Sequence, residues 1–268
     1  MMSDSVTSRA IRIAVPLSVG LIFLAGWEAI VAIYNIKPFV LPAPSAIFGA
    51  LIDNWATLMA STWATFKITA MAFLLALVGG VGLAVLFSQS RLLELALFPY
   101  AVTLQVTPVV AIAPLILIWV GLENIEAALL ILAWIVAFFP ILSNTTLGLK
   151  STDPNLRELF KLYGANRWQV LLRLQLPNAL PYILAGMKIS GGLALIGAVV
   201  AEFVAGSGTA TGLAWRIVEA GNRLQIPKMF AALLLLSMLG VGIFFLLSWL
   251  EHLLLRRWHE SAIDQNAV

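Results

Sequence analysis

The sequence predicts an all-α fold, a polytopic membrane bundle of six transmembrane helices. The first observation is composition: the 268 residues are 61% hydrophobic and only 11% charged, with mean hydropathy +0.98, far from the balance of a soluble domain. The second is length. The apolar residues fall in repeated runs near the ~20 residues that a bilayer core requires. The third is that the charges collect between those runs, chiefly in one basic island at residues 150–177.

The spans are expected at residues 13–34, 63–87, 93–120, 125–147, 182–204 and 230–254. The first has a basic flank, Arg9 and Arg12, as a signal peptide would. It is too long for a signal core and runs into Tyr34-Asn35-Ile36-Lys37-Pro38 without a small-residue cleavage site, so it reads as a retained span. Leu41-Pro42-Ala43-Pro44-Ser45 then turns the chain into a weaker apolar stretch, 46–58, interrupted by Asp53 and Asn54, expected to lie at the interface. The third span is broken by Pro108 and Pro114, with Gln105 and Thr107 just before; freed carbonyls at membrane depth need protein or water to satisfy them. Gln105, Thr107 and Pro108, with Ser190, are therefore candidates for a translocation pathway, against the plainer reading of a kink in a packed helix. The fifth span carries Gly186, Ser190, Gly191, Gly192, Ala194, Gly197 and Ala198, a small-residue set that suits close helix packing or, alternatively, the pathway of a dimer.

Charge orients the bundle. An even number of spans puts both termini on one side. That side carries Arg9, Arg12, Arg91, the island's Lys150, Arg157, Lys161, Arg167 and Arg173, then Arg256 and Arg257; the other carries Lys37, Arg216, Arg223 and Lys228. The positive-inside rule predicts cytoplasmic termini and a cytoplasmic island. The layout is thus an N-terminal tail 1–12, a transmembrane domain 13–255 with a cytoplasmic loop 150–180, and a C-terminal tail 256–268.

Within the island, Asp153-Pro154 is an N-cap followed by proline at the first helical position. Leu156, Leu159, Phe160 and Tyr163 recur at helical spacing, and the stripe is expected to rest against the bundle. Gly164 breaks the helix; a second follows through Trp168, Leu171 and Leu172 and is expected to stop at Leu176-Pro177. From pattern alone this is either a pair of surface-lying amphipathic helices or a partner-binding loop.

The island resembles the cytoplasmic coupling loop, the EAA motif, of binding-protein-dependent ABC importer permeases. Glu158 and Gly164 have that motif's spacing, and Leu174, Leu176 and Pro177 fall where its aliphatic residue and Leu-Pro stand; Leu159 and Phe160 replace its two alanines. Trp27-Glu28, Leu41-Pro42-Ala43-Pro44-Ser45, Thr107-Pro108, Pro114-Leu115-Ile116, Phe139-Pro140-Ile141 and Ala201-Glu202 look like the nitrate/sulfonate/taurine branch. The resemblance implies an ABC type I importer permease-like fold and a homodimer in a bacterial inner membrane. It also implies partnership with two cytoplasmic ABC ATPase subunits and a periplasmic or lipid-anchored solute-binding protein. The solute expected is an organic or inorganic anion such as a sulfonate, taurine or nitrate, with a pyrimidine-like precursor second.

Several classes are disfavoured. Cysteine is absent, which excludes disulfides and thiolate chemistry. No Walker-type phosphate loop is present, so ATP hydrolysis by that route belongs to a partner. No metal or acid–base cluster suggests an enzyme or a cofactor; His252 and His259 make no metal pair, and the net +3 charge is read as lipid-facing loops, not nucleic-acid binding. The alternative is an ion-coupled secondary transporter using Glu28 and Glu202, because carboxylates in spans are functional suspects. Arg216, Arg223 and Lys228 against Glu219, in the external segment 206–228, could dock a binding protein or anchor at headgroup level.

Overall fold

The computed structural model describes residues 3–205 and 212–255, all helix and connection with no strand among them. The helices are α1 Ser3–Ile33, α2 Pro44–Asp53, α3 Trp55–Gln89, α4 Arg91–Val106, α5 Val109–Val120, α6 Ile125–Lys150, α7 Pro154–Leu162, α8 Arg167–Val170, α9 Leu176–Ala205, α10 Leu213–Asn222 and α11 Ile226–Leu255. Among the described residues five are long and apolar enough to cross a bilayer, and the bent pair α4–α5 meets the same test when taken together, which gives six if that pair is one span. The N-terminal segment expected as a tail is helical from Ser3 onward and continuous with the first span. Residues 256–268, with Arg256, Arg257 and His259, lie outside the described residues, as do residues 206–211.

Two compact units form. Of the described residues, the larger comprises 60–205, 212–215 and 236–255, the smaller 3–59 and 216–235. The larger is organised on the pair α6–α9, whose backbones approach where glycine leaves no side chain. A Cβ on Gly197 would stand 2.8 Å from Ala133 Cα, and one on Gly148 would stand 2.7 Å from Tyr182 Cβ. Ser190, fully buried, donates to the Ala137 carbonyl across the same seam. Small residues permit this contact, which between spans must rest on packing, since lipid is as apolar as the side chains it would replace. Phe98 then bridges Phe87 and Phe139, with ring centroids 6.3 and 6.0 Å away.

In the smaller unit α1 and α2 are joined by a carboxylate. Both Glu28 oxygens accept from Ser45, one from its backbone N–H at 3.0 Å and the other from its hydroxyl at 2.7 Å. Pro44 opens α2 at its first turn, where a missing N–H costs nothing. The stretch expected as one interfacial helix divides: α2 ends at Asp53, and Trp55 already starts the long α3, earlier than the expected span start at Trp63.

Three expectations are corrected. The third span is not interrupted twice: it bends by 103° between α4 and α5, at Thr107-Pro108, while Pro114 stays inside α5. A proline drives the preceding residue out of the helical region, and Thr107 and Pro108 are both extended. Leu176-Pro177 does not stop the second loop helix. The chain runs from α8 through a wide π-turn, Leu171–Gln175, straight into α9. Pro177 cannot donate to the Arg173 carbonyl, and the wide turn relieves its ring against that carbonyl. Finally, the stripe of α7 is not packed on the bundle: no α7 residue is buried.

Candidate functional site

The loop between α6 and α9 is built by local signals in close succession. Asp153 accepts from the Asn155 N–H at 2.8 Å and Pro154 follows, which starts α7. At its far end the Gly164 N–H donates to Lys161 O and the Ala165 N–H to Phe160 O, a reciprocal pair that closes the last turn. That closure needs a left-handed residue, and Gly164 has φ +69°. Asn166 and Gln169 then exchange side-chain and backbone hydrogen bonds of 2.8 Å each, a capping box that opens α8.

The root of the loop is fastened. Lys150 pairs with Glu94 of α4, and Asn178 of α9 donates to Ser151 Oγ at 3.1 Å. Leu171 and Gln175 are buried. The tip is the opposite. Leu156, Leu159, Trp168 and Leu172 are exposed, and Leu162 and Tyr163 reach 84% and 83%. Of the motif residues, Glu158 is exposed beside Lys161 at 3.4 Å, Phe160, Leu174 and Leu176 are half-buried, and Pro177 is exposed. A held stem with an apolar tip can receive a soluble partner and pass its motion to α6 and α9.

The other sequence candidates separate into distinct places. Gln105 and Pro108 are exposed at the α4–α5 bend, where Thr107 Oγ1 is spent on the Thr103 carbonyl at 2.7 Å. Ser190 is committed to the α6–α9 seam and not to that bend. Arg216 and Arg223 clasp Glu219 at 2.7 and 3.1 Å. The Arg216 hydrogen bond, and then the positive charges of Arg216, Arg223 and Lys228, hold the Glu219 carboxyl below the usual carboxylate range.

Glu202 is fully buried, accepting from Thr65 Oγ1 at 2.7 Å and the Ala214 N–H at 2.9 Å. With Glu28 spent on Ser45, both suspect carboxylates act as local caps. Sequence reasoning missed Thr65 and the pair Lys188–Glu251, 2.8 Å apart between α9 and α11, with the Lys188 ammonium over the Phe244 ring at 5.6 Å. A lysine inside an apolar span was the available signal for that pair. No cluster of three metal-ligating side chains occurs among the described residues.

An apolar helical bundle bent at a proline, with a braced loop that exposes an apolar tip, defines a polytopic membrane protein. The profile of the binding-protein-dependent transport system inner membrane component family matches residues 76–259. The chain belongs to that family and is an ABC transporter permease. It is 31% identical to a probable ABC transporter permease protein of Haemophilus influenzae, covering 90% of this chain and 97% of the relative. It is 35% identical to the riboflavin transport system permease protein RibX of Chloroflexus aurantiacus, covering 90% and 88%. Other relatives are named for formylaminopyrimidine in Halalkalibacterium halodurans (35% identical), aliphatic sulfonates in Bacillus subtilis (31%) and nitrate in Synechocystis (28%). The fold matches a crystal structure of an amino acid ABC transporter with TM-score 0.63 at 17% identity, covering 78% of this chain and 98% of that one.

Proposed function

We propose that this permease is the membrane half of an ATP-driven importer in which the 150–180 loop receives a cytoplasmic ATPase and a binding protein delivers the solute outside. The chain is an ABC importer permease component, and ATP hydrolysis in such transporters resides in a separate subunit. The observation that carries the reading is the exposed apolar tip, Leu159, Leu162, Tyr163 and Trp168, on a stem fastened to α4 and α9. An apolar knob held in water is stable in the cell if a partner covers it. Glu158, Leu159, Phe160 and Gly164 form its working face, and Leu174, Leu176 and Pro177 carry its motion into α9. A second copy completes the pathway, with Gln105, Thr107 and Pro108 at the bend facing it. Both termini are cytoplasmic in a bacterial inner membrane, and Arg216, Arg223 and Lys228 meet the binding protein on the other side.

For the solute we rank a pyrimidine-like or flavin-like ring ahead of a small oxyanion, reversing the order suggested by sequence. The relatives named for riboflavin and formylaminopyrimidine are each 35% identical, above those named for sulfonates and nitrate. The ion-coupled alternative loses support because Glu28 and Glu202 each spend both oxygens on neighbouring donors.

The test is affinity purification of the full chain from mild-detergent membranes, with mass spectrometry of what accompanies it. A stoichiometric protein bearing a Walker phosphate loop, lost with Gly164→Glu, is expected. A chain that purifies alone and moves solute down an ion gradient overturns the reading.

A further inference from the structure

At the root of the loop, between the α3–α4 turn and α7–α8, lie two adjoining cavities of about 290 and 610 Å³. Ser88, Gln89, Arg157, Lys161, Arg167 and Gln175 line the smaller. Gln175 is only 4% exposed and lines both cavities, yet its side-chain amide has no hydrogen-bond partner among the described residues. Its amide opens on the cavities and is not sealed off in the core, so it can bond a guest there.

The charges select the guest. Arg157 and Arg167 have no carboxylate within ion-pair distance among the described residues. Lys161 shares only the exposed Glu158, at 3.4 Å. Glu94, the acid of the adjoining cavity, is taken by Lys150, and no carboxylate lines the smaller one. The Ser88 hydroxyl donates to Val85 O at 2.7 Å and accepts from Gln89 Nε2 at 3.2 Å, so it asks nothing further. Two unpaired guanidiniums and one free amide, with no acid to repel an anion, match the acceptor oxygens of a phosphate group.

We propose that this cavity is a binding site for a phosphate-class anion, held by Arg157, Arg167 and Gln175. The phosphate comes either from an anionic phospholipid headgroup or from a free cytoplasmic phosphate compound. On the orientation inferred above, the cavity stands at cytoplasmic headgroup depth, where anionic lipid is abundant. An anion bound there joins the α3–α4 turn to the loop and makes the loop's stance sensitive to lipid composition or to a soluble anion. This goes beyond the importer reading and rests on it only for the cytoplasmic orientation, because the test below reads binding and not transport.

The full chain, with any ATPase that accompanies it, is equilibrated in mixed micelles with equimolar phosphatidylglycerol and phosphatidylcholine, and retained lipid is counted by native mass spectrometry. In parallel, melting is followed with inorganic phosphate against chloride at equal ionic strength. The Arg157→Gln/Arg167→Gln double variant and Gln175→Leu are compared with wild type, and Arg173→Gln, exposed and outside the cavity, controls for charge. A lipid guest gives phosphatidylglycerol preference that falls roughly tenfold in the double variant and not in the control. A free anion gives instead a phosphate-dependent rise in melting temperature, lost in the double variant. The proposal is overturned if neither readout changes in the cavity variants, or if Arg173→Gln lowers it equally. Should the double variant fail to fold, Arg157→Gln and Arg167→Gln singly carry the same readouts.

Discussion

The Thr65 hydroxyl donates a 2.7 Å hydrogen bond to Glu202, 137 positions away in the chain, and accepts one of 2.9 Å from the Leu213 N–H. Glu202 also accepts from the Ala214 N–H, so one buried carboxylate and one hydroxyl join α3, the C-terminal end of α9 and the first turn of α10. The arrangement satisfies donors that a helix start otherwise leaves open. Gly212 lies against the same carboxylate, leaving no room there for a side chain.

Glu202→Ala should therefore destabilise the folded permease by about 1–3 kcal/mol, because buried donors lose their acceptor. Thr65→Val should cost a similar amount, and the double variant less than the sum. Thermal unfolding of the purified chain measures this. Wild-type melting in Glu202→Ala would return the residue to the list of transport carboxylates.

Replacing Gly164 by valine adds about 1–2 kcal/mol of backbone strain at φ +69°. No atom crowds a Cβ at this position, so the effect is one of loop conformation and not of packing. The expected outcome is loss of ATP-driven uptake in reconstituted vesicles, with the α6–α9 bundle melting as before. Normal uptake would show that the left-handed turn is dispensable for coupling.

At Gly197 the obstacle is the reverse, since the backbone of Ala133 stands against it. Gly197→Leu should destabilise by about 1–3 kcal/mol or more, seen as poor yield of folded protein. Gly192→Ala, at an open position on the same helix, should leave yield unchanged.

The Glu219 carboxyl, held low by the Arg216 hydrogen bond and by nearby positive charge, sets a pH dependence. Its folded pKa lies below its unfolded one, so its contribution to stability is fully present above the unfolded value. It is lost as pH falls through the folded value. Wild type should lose stability through the acid range more steeply than Glu219→Gln, as followed by urea or thermal unfolding against pH. Parallel curves would mean that the Arg216 and Arg223 contacts contribute nothing to stability.

The elements that could be read from sequence were those governed by local rules. Asp153-Pro154 announces α7, Gly164 its left-handed end, and the small residues of 186–198 the close approach to α6. What could not be read depended on partners distant in the chain. The α7 stripe looked like a packing face, yet Leu159 and Tyr163 are exposed, because a helical period states which residues share a side and not what covers it. Leu176-Pro177 looked like a stop, but a widened turn absorbed the proline and carried the helix on into the membrane.

Sequence alone determined that this protein lies in a membrane, that it does so with helices, and that one basic glycine-hinged loop stands apart from them. Bilayer thickness and backbone hydrogen bonding allow few other solutions for runs of that length. Only the tertiary structure decided which suspect groups are free to act. It gave Glu202 to Thr65, Glu28 to Ser45 and Lys188 to Glu251, and it left Arg157, Arg167 and the Gln175 amide unpaired around one cavity. The reason is that a charge or amide is spent or spared by its neighbours in space, and those come from helices far apart in the chain.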